Sequence, residues 1–329
     1  MQNRQRARRA ASRLLKRFVI AAALSCAALA VQGQGNVTRI VVPFAAGGVQ
    51  DILARAINAE LGAQLGRNVI VENRPGAGNT IGTAFVAKSA PDGNTLILAA
   101  ASHTISGSLY SKLSYHPIND FTAVAHVGTV DYVLMTTAAL PAKSVAEFVA
   151  YARANPGKLN YASAGNGSAT HLAMAYFASL AGIELVHVPF KATGEAINEV
   201  VAGRSHAVIA ANIGALAFVK DERVRMLAAT GSHRSKFLPQ LPTVAESGVP
   251  GYVFDSWLGL LAPAATPRPV VESINAAMDK LLREPVILER LAKQGIEPQA
   301  LSVDAFNALL REDFAKMAKV VKASGARID

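Results

Sequence analysis

Short β-branched runs alternate with longer amphipathic stretches along most of the chain. Nine segments have the length and composition of strands: 39–43, 69–72, 95–99, 132–136, 159–162, 185–189, 207–211, 226–230 and 258–261. Helical patterns lie between most of them. Ile52, Leu53, Ile57, Leu61 and Leu65 recur at helical spacing after Gly47 and Gly48. Ser144 with Glu147, and Thr243 with Glu246, match the S/T-x-x-E box whose side chains satisfy free amides at a helix start. Strand-helix-strand repetition predicts mainly parallel sheets covered on both faces, an α/β chain of two doubly wound domains by length. After Leu261 the pattern changes, with helices expected near 270–283, 286–294 and 303–323 and no clear strand among them. Phe306, Leu309, Leu310, Phe314, Met317, Val320 and Val321 give the last of these an apolar docking face.

Charge is unevenly distributed. The 329 residues carry a formal +10, but seven of the bases fall within the first 17 residues and the first acid is Asp51. Setting those seven aside leaves 26 bases against 23 acids, which removes the main support for a nucleic-acid partner. The basic start, the apolar run 18–30 and small residues at Ala28 and Ala30 form the three parts of a secretory signal, with cleavage expected after Ala30 and a periplasmic destination. Thirteen apolar-run residues fall short of the roughly 20 that a bilayer span needs. Lipidation of Cys26 is the alternative; if the single cysteine leaves with the leader, thiol nucleophiles, thiolate metal sites and disulfides go with it.

Small and hydroxyl residues collect just after expected strands and just before expected helices, the edge at which open α/β sheets bind ligands. Five turns stand out: Phe44, Ala45, Ala46, Gly47 and Gly48 with Asp51 beyond them; Ser102 and His103; Ser163, Gly165, Gly167 and Ser168; Lys191 and Thr193; and Asn212. Glycine admits close approach, and the first amides of a helix have no internal partner, so such turns suit an anion without a lysine or arginine. His171 lies one turn into the helix after Ser168 and can face the same cleft. Asp51 has two readings, a ligand contact or a cap paired with Arg55 four residues on. Trp257 is expected in the core.

Other chemistries find little footing. Gly76, Gly78 and Gly82 stand at offsets 0, 2 and 6 rather than the dinucleotide spacing, and no turn carries the GK[ST] of a phosphate loop. The seven histidines form no HExxH and no close metal-ligand pair, and there is no G-x-S-x-G elbow. No cofactor and no metal are expected. A hydrolase or isomerase working through Ser168 or His171 remains the rival from another class, and a ligand sensor docking on a membrane kinase is a third reading.

Several motifs, in order, resemble the Bug or TctC family of periplasmic solute-binding proteins of tripartite tricarboxylate transporters. They are 40–44 with Gly47, Gly48 and Asp51; Glu72-Asn73-Arg74-Pro75-Gly76-Ala77-Gly78; Ala90-Pro91-Asp92-Gly93; Asn155-Pro156-Gly157-Lys158-Leu159; the 163–172 segment; Leu241-Pro242-Thr243-Val244-Ala245-Glu246; 257–263; and Lys322-Ala323-Ser324-Gly325. The resemblance implies two interleaved α/β domains, 37–131 plus 257–329 and 132–256, closing over a small organic acid. It implies that Phe44 to Gly48 and Ser163, Gly165, Gly167 and Ser168 hold one carboxylate, largely through backbone amides and ordered water. It also implies a two-component membrane permease as partner, a monomeric receptor and no catalysis. The sequence departs from the family pattern at Asn79, at Phe190-Lys191-Ala192, at Ser205-His206-Ala207 and at Met317, so 190–193 and 206–214 are expected to help select the ligand.

Overall fold

A computed structural model describes residues 37–324 of the chain; the expected leader, with Cys26, lies outside them. The elements in order are β1 (Val37–Val42), α1 (Val49–Leu65), β2 (Asn68–Asn73), a short 3-10 turn (Ala77–Asn79), α2 (Thr80–Ala87), β3 (Thr95–Ala100), α3 (Ala101–Leu109) and β4 (Phe121–Thr137). Then follow α4 (Val145–Ala154), β5 (Asn160–Ser163), α5 (Ala169–Ala181), β6 (Val186–Pro189), α6 (Thr193–Val201), β7 (Ala207–Ala211), α7 (Asn212–Leu216) and β8 (Val224–Ala229). The chain returns through β9 (Asp255–Pro263), α8 (Arg268–Leu281), α9 (Pro285–Ala292), β10 (Ile296–Pro298) and α10 (Val303–Ser324). Among the described residues no helix is long and apolar enough to cross a membrane.

All nine expected strands form, and the structure adds two features that periodicity did not show. The 17-residue β4 begins at Phe121, well before the expected segment, because its first half is buried on both faces and has no polar alternation to read. The three-residue β10 sits among the C-terminal helices and pairs with β4 at Gly128–Val130, so that tail is not strandless. The sheets are mixed rather than mainly parallel. β1 pairs in parallel with β2 and β3, and β5 with β6 and β7, but every pairing of β4 and β9 is antiparallel.

β4 is the spine. Its residues up to Asp131 pair with β9 in one sheet, and from Tyr132 onward it pairs with β7 and β8 in the other. The strand order β2-β1-β3-β9-β4-β7-β5-β6 therefore passes continuously through a change of sheet at one point on one strand. The returning chain changes allegiance at the matching place: the Phe254 amide donates to Thr230 O, whereas Asp255 already pairs with Asp131.

Local chemistry accounts for most helix boundaries. Ser144 Oγ accepts the Glu147 amide at 3.2 Å and opens α4 as expected. Thr243 and Glu246 make both capping-box hydrogen bonds, at 3.1 and 2.8 Å, but only a turn follows, cut short by Gly248 at φ +106° and Pro250. In α1, Leu53, Ile57 and Leu61 are buried, whereas Ile52 faces out because residues one apart cannot share a helix face. Trp257 is core, packed edge-on against Phe306. The apolar face of α10 packs on α3, β4 and α5, so it covers elements on both sides of the sheet change.

Close packing around the spine makes a specific demand. A Cβ at Gly259 of β9 would overlap the Phe306 ring and stand 2.8 Å from Ala125 O. Gly259→Ala is expected to lower the unfolding free energy by about 1–3 kcal/mol through overpacking, measured by urea denaturation; an unchanged midpoint would show that α10 yields at no cost.

Candidate functional site

The sheet change places the carboxyl ends of β1 and β3 opposite those of β5 and β6, and the helices that follow them start around a hollow of about 460 Å3. Phe44, Gln50, Gly78, Ala100, Ser102 and Ile105 supply part of one wall, with Leu109 and Tyr110 beyond them. Ala164, Asn166, Gly167, Ser168, Ala169 and Thr193 supply the other. Tyr132 of β4 and Ser256 of β9 form the floor beside the point where β4 passes between sheets. None of these residues is an aspartate, glutamate, lysine, arginine or histidine. Burial pushes the Tyr132 phenol up to about 12, so it too is neutral.

In place of charged side chains the hollow has helix starts. The amides of Val49, Gln50 and Asp51 in α1, Ser102 in α3, Ala169 and Thr170 in α5, and Thr193 and Gly194 in α6 have no acceptor among the described residues. Each helix start carries roughly half a positive charge, and its effect on a nearby anion is typically about 0.3–1 kcal/mol, rising where solvent is excluded. Two of these helices stand on each side of the sheet change. The arrangement favours an anion that touches both sides at once.

The loop between β5 and α5 is the most closely determined part. Gly165 and Gly167 have φ of +108° and +74°, values L side chains rarely adopt. Ser168 caps α5, accepting the His171 amide at 3.2 Å and donating to Gly165 O at 2.7 Å. On the facing side, Asp51 accepts the Gly47 amide at 2.9 Å and pairs with Arg55 at 3.0 Å. Burial alone would raise its carboxyl, but Arg55, the Gly47 amide and Asn73 outweigh that and hold it below the ordinary range.

Of the residues singled out in the sequence, Phe44, Ser102, Gly167, Ser168 and Thr193 line the hollow. Ala45, Ala46, Gly47 and Gly48 form the adjoining turn, the first three exposed. Seven residues hold other places. Asp51 closes its own turn. Lys191 is exposed, and its amide is bonded to Glu195. Ser163 is fully buried behind the loop, bonded to the Gly165 amide and to His187; Gly165 and His171 also stand behind the lining residues.

Asn212 lies elsewhere, buried, with Nδ2 donating to Gly295 O. Its turn packs on the β10 side of the molecule rather than opening into the hollow. His103 is core: its ring lies edge-on to Phe121 at 4.8 Å and near Tyr115 and Trp257, and Nε2–H donates to Pro117 O at 2.8 Å. One residue after Ser102 on a helix, its side chain is turned away by about 100°, toward the sheet. Gln50, Gly78, Tyr110, Tyr132 and Ser256 were missed. Gly78 was visible as part of a glycine cluster, and a Cβ there would overlap the Tyr110 hydroxyl. Tyr132 and Ser256 carried no local signal, because what matters about them is the sheet change.

A larger hollow, about 730 Å3, opens on the other face of β9, where Asp255 and Trp257 point opposite to Ser256. Lys236 bonds Glu297 there at 2.5 Å and Lys316 stands 4.0 Å from Asp255. Its bases are already paired with acids, so its size does not by itself make it suited to an anion. Among the described residues no cluster of histidine, cysteine or carboxylates could hold a metal.

Comparison with known proteins agrees with this fold. The family model described as "Tripartite tricarboxylate transporter family receptor" matches residues 53–326. A protein of Pseudomonas sp. strain P51 described as "UPF0065 protein in tcbD-tcbE intergenic region" is 35% identical over 85% of this chain and 84% of its own length. The solved structure "R. palustris Rpa4515 with adipate" superposes with a TM-score of 0.77 at 33% identity, covering 90% of this chain and 99% of that one. MatC from Rhodopseudomonas palustris with bound malate superposes at 0.73 and 32%, covering 88% and 99%.

The buried His103 predicts an acid dependence. Burial lowers its pKa to about 4, against about 6.5 unfolded, so between those values the unfolded chain takes up a proton that the fold refuses. Its contribution to stability is complete above pH 6.5 and is lost as pH falls toward 4. His103→Gln, which keeps a donor for Pro117 O, is expected to flatten that part of the stability curve in chemical denaturation at pH 4 to 7; an unchanged slope would place the sensitivity in other groups.

Proposed function

The chain belongs to the tripartite tricarboxylate transporter receptor family, and we propose that it is a non-enzymatic, extracytoplasmic receptor that captures a small carboxylate-bearing acid between its two sheets and delivers it to a two-component membrane permease. The observation that carries this reading is the convergence of four helix starts with unpaired amides on a hollow without a charged side chain. Such a wall binds a carboxylate through oriented N–H groups and leaves it chemically unchanged. The solved relatives with adipate and malate supply the ligand class and the first two probes.

We take the sheet change as the boundary between two lobes, 37–131 plus 257–329 and 132–256. Only β4 and the chain entering β9 would then cross between them, a two-strand hinge. A ligand that touches both lobes favours the closed state by its differential contacts with it. The leader expected at 1–30 would direct the chain to the periplasm, where a monomeric receptor meets its permease.

A catalytic reading has less support. Ser168 Oγ is committed to capping, and the His171 ring accepts a backbone amide instead of addressing that hydroxyl. Ser163 and His187 are 2.6 Å apart, but Ser163 is fully buried.

Native mass spectrometry of the purified protein, followed by denaturation and identification of what is released, tests the reading; thermal-shift titration with adipate and malate follows. A bound acid recovered intact is expected, and turnover of the acid would overturn the receptor reading. Ser102→Trp and Thr193→Trp, one on each wall, are each expected to weaken binding more than about tenfold, or roughly 1.4 kcal/mol.

A further inference from the structure

Behind the Gly165–Ser168 loop stand three stacked rings. Tyr161 of β5 faces His187 of β6 at 4.9 Å and 20°, and His187 faces His171 of α5 at 4.0 Å and 7°. Both imidazoles are tied to the loop. His171 Nδ1 accepts the Gly167 amide at 3.0 Å, which requires Nδ1 to be bare. His187 Nε2 shares a 2.6 Å hydrogen bond with Ser163 Oγ, and that hydroxyl accepts the Gly165 amide at 3.1 Å. The amides of Gly165 and Gly167 are thus drawn back toward the rings. Those of Asn166 and Ala169, which line the hollow, are left without an acceptor among the described residues.

We infer that His171 and His187 are positioning residues for this loop, a brace that holds the Gly167 amide only while the His171 imidazole is neutral. The brace itself follows from the contacts; its effect on ligand capture rests on the receptor reading above. A proton on His171 Nδ1 turns the acceptor of the Gly167 amide into a donor pointing at a donor. A second proton on His187 sets two like charges in stacked rings 4.0 Å apart. The first event releases the Gly167 amide; the second acts through repulsion between the rings alone, because Ser163 Oγ can accept from His187 Nε2–H and donate to Gly165 O at 3.3 Å. Tyr161 is the remaining titratable group facing the pair, and burial keeps its phenol neutral. Among the described residues no carboxylate, lysine or arginine acts on either ring to offset these charges. Burial and His187 lower His171 to about 4, and burial lowers His187 as well, so the brace holds at neutral pH and fails as pH approaches 4.

The test reads the loop directly. Hydrogen exchange of the Gly167 amide, corrected for its intrinsic rate, is followed by NMR from pH 7 to pH 4 in the full protein and in two variants. The native protein is expected to lose about tenfold or more of its protection over that range. His171→Asn places an amide oxygen near the Nδ1 position without a titrating group, so its protection should persist and be nearly independent of pH. His171→Leu should be unprotected throughout. Protection in the native protein that is unchanged down to pH 4, or His171→Leu protected like the native protein, would overturn the inference. Adipate serves as the binding probe. On acidification to pH 4, where about half of the His171 rings carry a proton, its affinity is expected to fall about twofold further in the native protein than in His171→Asn, a comparison that cancels protonation of adipate itself. An equal fall in both would remove the coupling to the ligand. Adipate that binds neither at pH 7 would count against the choice of ligand, and the exchange result would still decide the brace.

Discussion

A backbone N–H in the first turn of a helix has no partner within the helix and must find one outside it. In this protein that constraint joins the fold to its use. Strands β1, β3, β5 and β6 each lead into a helix at their carboxyl ends, and the change of sheet along β4 turns these ends toward one another. Several unpaired amides therefore face a single hollow, and the surrounding side chains bring neither a competing carboxylate nor a fixed cation. A wall of this kind would discriminate among ligands by the direction of its N–H groups. A shift of one loop by an ångström matters more to such a site than the loss of one side chain.

The remaining structure keeps those directions fixed. Asp51 and Arg55 close the turn before α1, Ser168 caps α5, and Asp313 anchors the start of α3 from behind by accepting Thr104 Oγ1 at 2.5 Å and Trp257 Nε1 at 2.8 Å. The polar groups nearest the hollow are thus mostly spent on holding backbone. Charged pairs such as Lys236 with Glu297 lie on the opposite face of β9, away from this hollow.

Much of this was legible in the sequence. The small-residue turns marked the edge of the sheets that opens into this hollow because glycine and capping serine answer local backbone requirements, and four of the five turns contribute to its lining. What the sequence could not reveal was which way a side chain points once a turn is placed. His103 follows Ser102 by one residue yet faces the core, and Asn212 begins a helix on the β10 side of the molecule. Asp51, Ser163 and His171 support the loops from behind, a distinction that depends on hydrogen bonds spanning two to four residues. The first half of β4, buried on both faces, has no alternation to mark it as a strand, and its His126, Gly128 and Thr129 interrupt the apolar run that marks the second half. Tyr132 and Ser256 gain their place only from strand pairing between residues more than a hundred positions apart.

The central claim is that one carboxylate is held by backbone amides from both sides of the sheet change. Backbone-amide NMR of the ¹⁵N-labelled protein, titrated with the acid it releases on denaturation or with adipate, tests that most directly. The account predicts concerted downfield shifts of the Gln50 and Asp51 amides on one side and the Ala169 and Thr170 amides on the other. Shifts confined to one side, or centred on Lys236, Glu297 and Lys316 in the larger hollow, would contradict it.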